Sequence, residues 1–494
     1  MKRVASGIFP IIKVDRKAPK ALHRQIYDAY RTRIVDGGLH PGQRIPSTRI
    51  LASELGISRL PVLNAYSQLL AEGYFESRVG AGTIVSRSLP DQPIARAATP
   101  ATPASALAGS RPASLRSSIL PRFERAPWLQ GWGAFGVGQV AFDQFPLSVW
   151  SSLVAHHCRN MDARSLHYGE SIGSPDLREA IASYLRTVRS LRCVAEQIVI
   201  VSGSQQALEI SARLLLDPQS SVWIEDPGYS LARDAFALTG CRLVPVPVDK
   251  EGLDVAAGIN RCRKARAAFV TPSHQFPMGV TMSASRRFQL LDWAQHAGSW
   301  IIEDDYDSEY RYESQPIPSL QGLDASARVI YIGTFSKVLF PSLRLGYVVV
   351  PLDLVDRFLS IRRAMDISPP TFYQAVLADF IREGHFGRHL RRMRVLYRER
   401  RSALVANINS ELEGVVEVFG AEAGMHLAVV LRNASHNDLE IAQRAARQNL
   451  WLWPLSSSYL GEKPRPGFIL GFGSTAVADI PPAVRKLRNL LAAK

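Results

Sequence analysis

Tyr331-Ile332-Gly333-Thr334-Phe335-Ser336-Lys337 runs on into Val338-Leu339-Phe340-Pro341-Ser342-Leu343-Arg344-Leu345-Gly346. Val329-Ile330-Tyr331-Ile332 is a β-branched, apolar run that predicts a buried strand, stopped at Gly333. One lysine stands just past the strand end among small hydroxyl residues. Taken singly, such a lysine is ordinarily a solvated surface charge. A second run upstream changes its meaning: Trp300-Ile301-Ile302-Glu303-Asp304-Asp305-Tyr306-Asp307 is another apolar strand, and it ends in carboxylates and a tyrosine.

Delivered to neighbouring strand ends, Lys337, Asp304, Tyr306 and Arg344 are the set that pyridoxal phosphate requires. A lysine amine forms a Schiff base with the aldehyde, and an aspartate keeps the pyridine nitrogen protonated so that the ring accepts electrons. A tyrosine hydroxyl bonds the ring phenolate and an arginine faces the phosphate. The surroundings are consistent with this. From Gln139 onward strands alternate with helical patterns: Gln197–Val201 before a helix at Gln205–Leu215, then Ser221–Glu225 and Ala267–Val270. That alternation predicts an α/β domain with a mainly parallel sheet, whose ligands gather at the carboxyl ends of the strands. Val201-Ser202-Gly203-Ser204-Gln205 joins a strand to a helix N-terminus, where free N–H groups suit a phosphate. Alone it reads equally as a tight strand-to-helix turn. Tyr229 and His274, each alone, read as packing and as a satisfied polar side chain.

Hydrophobic residues make up 46% of the 494 and charged residues 21%, so the chain is globular and long enough for two or three domains. Its net charge of +15 is uneven: residues 1–90 hold 14 Lys and Arg against 6 Asp and Glu. A basic N-terminal portion suits nucleic acid, with a solvated basic surface as the competitor. Cys158, Cys193, Cys241 and Cys262 lack C-x-x-C spacing, which predicts reduced, buried thiols with neither disulfides nor a metal site. No apolar run approaches the roughly 18 residues of a membrane span, and the N-terminus lacks a signal-peptide core. A cytoplasmic protein is expected.

In the basic portion, Leu22, Ile26, Tyr30 and Ile34 form one helix face, stopped by Gly37-Gly38. Ser47 caps a second predicted helix, Thr48–Leu55, and Ser58 a third, Arg59–Leu70, with Val62, Ala65, Tyr66, Leu69 and Leu70 inward. Gly56-Ile57-Ser58 between them makes a helix-turn-helix pattern. Tyr74–Arg78 and Thr83–Ser86 flank Val79-Gly80-Ala81-Gly82 and predict a hairpin wing. Ser88–Ala126 is rich in Ala, Pro, Ser and Thr without periodicity, which predicts a flexible tether.

Pro46-Ser47-Thr48-Arg49, Leu55-Gly56-Ile57-Ser58-Arg59, Leu70-Ala71-Glu72-Gly73-Tyr74 and the glycine-rich wing resemble the winged helix-turn-helix of GntR-type repressors over residues 15–87. The resemblance implies that the third helix enters the major groove of a double-stranded DNA operator. Arg59, Leu60, Pro61 and Asn64 would then lie at base edges, with Ser58 also among the DNA-binding residues at the helix start. Arg44, Ser47, Thr48 and Arg49 would meet phosphates, and Arg78, Gly80 and Gly82 of the wing would lie along the backbone or minor groove. A linker over 88–137 follows. Residues 138–494 resemble fold-type I aminotransferases, an α/β fold with a smaller C-terminal α+β subdomain from roughly residue 375. By that resemblance Lys337 is the Schiff-base lysine, with Asp304 on the pyridine nitrogen and Tyr306 on the ring oxygen. Tyr229 stacks on the ring. Ser202, Gly203, Ser204, Thr334, Ser336 and Arg344 hold the phosphate, and Tyr168 reaches it from the partner subunit of a homodimer.

Two departures matter. Phe276-Pro277-Met278-Gly279 stands where the superfamily has Asn-Pro-x-Gly, leaving His274 and Gln275 as substitutes for the asparagine. No arginine occupies the position near Ile469 expected to hold a substrate carboxylate, and Arg465 is the nearest candidate. Head, tether and body together resemble the MocR/GabR class of bacterial regulators. This implies a pyridoxal phosphate-dependent transcription factor that answers an amine, amino acid or B6 vitamer through Lys337, with half-transamination at most. The competing organisations are a working aminotransferase with a DNA-binding appendage and a cofactor-free dimeric repressor.

Overall fold

The computed structural model describes residues 12–78, 82–88 and 133–492 apart from 164, 313–316 and 462, together with 114, 118–120, 126 and 127. The chain divides into two compact units, Met1–Pro112 and Ala113–Lys494.

The first unit packs helices Leu22–Val35, Thr48–Glu54 and Arg59–Ala71 on a three-stranded antiparallel sheet ordered Arg44–Ile45, Gly82–Val85, Phe75–Arg78. Its core is small and aromatic. Tyr30, Tyr66 and Phe75 meet edge to face with ring centroids 5.2–5.7 Å apart. Tyr66 Oη donates to the Pro46 carbonyl at 2.9 Å, so the Tyr30 hydroxyl 3.2 Å away must donate to Tyr66. Ser47 caps its helix as expected, accepting from the Ile50 amide. Ser58 makes no such side-chain cap. Leu70, expected inward, is 37% exposed, because one residue beyond Leu69 the helix has turned its side chain off the buried face. Gly80 and the Arg78 side chain lie outside the described part.

Most of the expected linker also lies outside the described residues, but 133–137 are built into the second unit. Phe135 is fully buried, its amide donates to Thr475 Oγ1 at 3.0 Å, and Ala134 bridges to Leu450. A ring of that size is apolar enough to anchor chain that composition assigned to the tether.

The second unit is built on an eight-stranded mixed sheet. Its order is Ile198–Val201, Gly346–Val349, Val329–Thr334, Trp300–Asp305, Ala267–Val270, Ser221–Asp226, Arg242–Asp249, Gly252–Leu253. The four central pairings from Val329–Thr334 to Arg242–Asp249 are parallel, and Gly346–Val349 runs antiparallel to both neighbours. Both faces are covered. Ile198, Ile200, Tyr331 and Val349 join one apolar cluster, while the alternate residues Val199, Val201, Ile330, Ile332 and Val348 join another with helix Ser204–Leu215. The continuous apolar runs follow from this two-sided burial. A separate four-stranded antiparallel sheet, Val416–Phe419, His426–Leu431, Gly467–Gly471 and Trp453–Pro454, packs against this unit with the 27-residue helix His385–Glu411.

Tyr66→Phe keeps the aromatic contacts but leaves the Pro46 carbonyl and the Tyr30 hydroxyl without their partner. It is expected to destabilise the N-terminal unit by about 1–3 kcal/mol, read as a lower unfolding midpoint for that unit in full-length protein.

Candidate functional site

The carboxyl ends of the parallel strands open on a cavity of about 380 Å³, a size that suits a small ligand. Parallel pairing puts Asp304 beside Ile332 and Asp305 beside Gly333, which brings the acidic strand end next to the turn carrying Lys337. Asp304, Tyr306, Thr334, Ser336, Lys337, Arg344, Ser204 and Tyr229, all singled out in the sequence, line this one cavity.

The Lys337 amine lies 3.4 Å from the Gly138 carbonyl. Burial lowers its pKa, against the pull of Asp307 and Asp304. Asp304 is buried and its pKa is pushed up to about 7, chiefly by burial and then by Asp305. Its Oδ1 has no hydrogen-bond partner among the described residues. A buried carboxylate oxygen left unpaired costs free energy unless something cationic meets it. The fit to a protonated ring nitrogen is direct.

Tyr306 Oη donates to the His274 carbonyl at 2.7 Å, and burial, followed by Asp307 and Asp304, holds its pKa well above the ordinary value. It therefore stays a hydroxyl. Tyr229 meets Phe276 edge-on at 5.4 Å.

At the other side of the lysine, Gly203 (φ 97°) precedes helix Ser204–Leu215 and leaves that helix's first N–H groups facing the cavity. Arg344 Nη2 donates to the Ser202 carbonyl at 2.8 Å. A Cβ on Gly203 would stand 3.4 Å from the guanidinium, so the glycine lets the two approach. Arg344 itself is left-handed (φ 51°). Thr334 Oγ1 accepts from the Ser336 amide at 3.1 Å. Helix N-terminus, hydroxyls and guanidinium make a cradle for a dianion.

Several expected residues stand elsewhere. Gln275 is turned into its own loop, donating to the Pro227 carbonyl at 2.9 Å and accepting from the Met278 amide at 3.0 Å. The ring of His274 sits behind Tyr306 and pairs with Asp307 at 3.1 Å. Neither lines the cavity; Phe276 does. Arg465 is outside it, exposed, 3.4 Å from Glu417 and over the Phe419 ring. Tyr168 is 72% exposed and lines a different surface cavity with residues 166–169 and 368–371.

In the N-terminal unit, Arg44, Ser47, Arg49, Ser58, Arg59, Leu60, Asn64 and Gly82 are exposed, with Thr48 and Pro61 half-buried. Arg59 Nε donates to Thr48 Oγ1 at 3.0 Å, tying the starts of the second and third helices together.

Sequence reasoning missed Val137, Gly138, Asp307, Met425, His426 and Trp453. Gly138 (φ 75°) lets the Lys337 amine approach where a Cβ would clash, a long-range contact with no local signal in the sequence. His426 and Trp453 come from the second sheet, far along the chain, with no local signal. His274, Asp307 and His426 also offer ligand atoms within 4.8 Å of one another, but the Asp307 oxygen is used by His274 and by the Met425 amide.

Among known proteins, residues 133–468 match the aminotransferase class I and II family, and residues 22–85 match the bacterial regulatory proteins of the gntR family. The chain is 39% identical over 481 residues to the "Probable rhizopine catabolism regulatory protein MocR" of Rhizobium meliloti, covering 97% of this chain and 95% of that one. It is 30% identical over 467 residues to the HTH-type pyridoxine biosynthesis transcriptional regulator PdxR of Corynebacterium glutamicum, covering 94% of each. The crystal structure of an archaeal alanine:glyoxylate aminotransferase matches with a TM-score of 0.71 and 25% identity, covering 77% of this chain and 98% of that one.

Because Asp304 rises from 3.8 to about 7, the folded ligand-free chain keeps a proton that the unfolded chain has lost between those values. Its contribution therefore falls as pH rises through that window. Asp304→Asn is expected to reduce the loss of melting temperature between about pH 5 and about pH 8 in ligand-free protein, measured against the unsubstituted chain.

Proposed function

The chain belongs to the MocR-type transcriptional regulators, a GntR-type head joined to an aminotransferase class I and II body, and from that premise we propose that the body carries pyridoxal phosphate and senses an amine, an amino acid or a B6 vitamer. The observation that carries the reading is one cavity lined by both the Lys337 amine and a buried Asp304 oxygen that has no partner among the described residues.

When bound, pyridoxal phosphate supplies an aldehyde open to amines and a ring that accepts electrons. Lys337 would hold it covalently, its amine steadied by the Gly138 carbonyl. Asp304 would hold the proton of the ring nitrogen, and Tyr306, kept protonated by burial, would donate to the ring oxygen in exchange for the His274 carbonyl. Tyr229 would lie against the ring. Ser202, Gly203, Ser204, Thr334, Ser336 and Arg344 would bind the phosphate, joined in a homodimer by Tyr168 from the second protomer. His274 and Gln275 would act from behind, bracing Tyr306 and the Phe276 loop.

In the head, the exposed first turns of helix Arg59–Ala71 would present Arg59, Leu60, Pro61 and Asn64 to base edges. Arg44, Ser47, Thr48 and Arg49 would meet phosphates, and the wing with Arg78, Gly80 and Gly82 would meet the backbone. A regulator of this kind works in the cytoplasm; no described helix is long and apolar enough to cross a membrane. The effector shifts operator affinity only if it binds the two states of the protein unequally. Steady turnover between an amino donor and a keto acid would mark a metabolic aminotransferase instead. A colourless purified protein would mark a cofactor-free repressor.

Lys337→Ala is expected to keep operator binding but lose both visible absorbance and effector response; a response that survives unchanged refutes the sensing role. Arg59→Ala is expected to weaken operator binding by about ten-fold. Binding by either protein should also fall steeply with salt as phosphate contacts are screened.

A further inference from the structure

The cavity around Lys337 has two unlike sides. One is the cradle of hydroxyls, helix N–H groups and Arg344. The other is apolar and aromatic: Val137, Phe276, Met425, His426 and Trp453. Phe276 stands edge-on to Trp453 at 5.7 Å and to His426 at 5.4 Å. Behind this wall Ile469 is fully buried with Phe276, Met278 and Leu455, between Ala428 and Trp453 of the adjoining strands.

Charge is distributed accordingly. Among the described residues lining the cavity, the cationic side chains are Lys337 and Arg344, and Arg344 is held at the cradle by the Ser202 carbonyl. His426 adds no positive charge, since burial and then His274 hold its pKa well below the ordinary value. Asp304 and Asp307 both face the cavity. A ligand carboxylate bound against the apolar side would be buried away from Arg344, the guanidinium held at the cradle, which is costly. A hydrocarbon or aryl group would meet a wall that favours it.

We propose that the effector is a primary amine carried on an uncharged apolar or aromatic body, and that amines bearing an adjacent carboxylate are rejected. The proposal rests on the reading of Lys337 as the residue that holds pyridoxal phosphate. It narrows that reading to one ligand class.

The test titrates cofactor-loaded, full-length protein with two matched pairs, 2-phenylethylamine against phenylalanine and 3-methylbutylamine against leucine, with methylamine as the probe lacking a body. The readout is the visible absorbance of the cofactor, compared at equal concentrations of unprotonated amine. Each amine is expected to act at a concentration about ten-fold or more below its amino acid. 2-Phenylethylamine is expected to act about ten-fold below methylamine, and Trp453→Ala to shrink that second ratio. A normal visible band with the amino acid equal to or better than its amine, or with neither member of either pair active, overturns this proposal alone. A protein with no visible band and no borohydride-fixed adduct on Lys337 overturns the underlying reading and this one with it.

Discussion

A buried ion pair fixes the floor of the site. Arg189, just past helix Pro175–Val188, places Nη2 2.7 Å and Nε 3.0 Å from Asp305 Oδ2, and the Tyr331 hydroxyl donates to the same oxygen at 2.6 Å. A further bond from Arg189 reaches Ser273 at 2.9 Å. One guanidinium thus joins the strand ends that carry Asp304 and Lys337 to the loop that carries His274 and Phe276. Burial pushes the Asp305 pKa up, but Arg189 and then Tyr331 outweigh it and hold it below the ordinary value. Removing one partner of such a pair leaves an uncompensated buried charge, which is why its members act as a unit.

Asp304 is the adjacent residue and has the opposite fate. Side chains alternate along a strand, so one carboxylate turns to the guanidinium and the next turns to the cavity, where its Oδ1 meets no hydrogen-bond partner among the described residues. Glu225, Glu303 and Glu309 nearby are also pushed up to about 7 by burial. The body therefore concentrates desolvated acids around a small volume.

Much of this was legible in the sequence because it is local. The runs at Trp300–Asp305 and Val329–Thr334, the strand-to-helix turn at Gly203 and the helix-turn-helix spacing around Gly56-Ile57-Ser58 each declare themselves within a dozen residues. What stayed hidden was long-range or rotational. Trp453 and His426 arrive on a different sheet, and Gly138 meets Lys337 from 199 residues away along the chain. Gln275 looked like a stand-in for the missing asparagine, yet the carbonyls of Phe276 beside it and of Pro227 after a neighbouring strand claim its amide. Residue type told which side chains could serve; only packing told which of them face inward.

Arg344 stands in a backbone region that suits glycine, since a β-carbon there is crowded, at a cost of the order of 1–3 kcal/mol. Its guanidinium is nonetheless the cradle's fixed positive charge. Folding on its own would favour a smaller residue at this turn, whereas the phosphate contact proposed for Arg344 calls for the larger one. Fold economy and ligand affinity thus pull this single position in opposite directions. A library screened only for thermal resistance would drift away from the arginine, and one screened for cofactor retention would keep it.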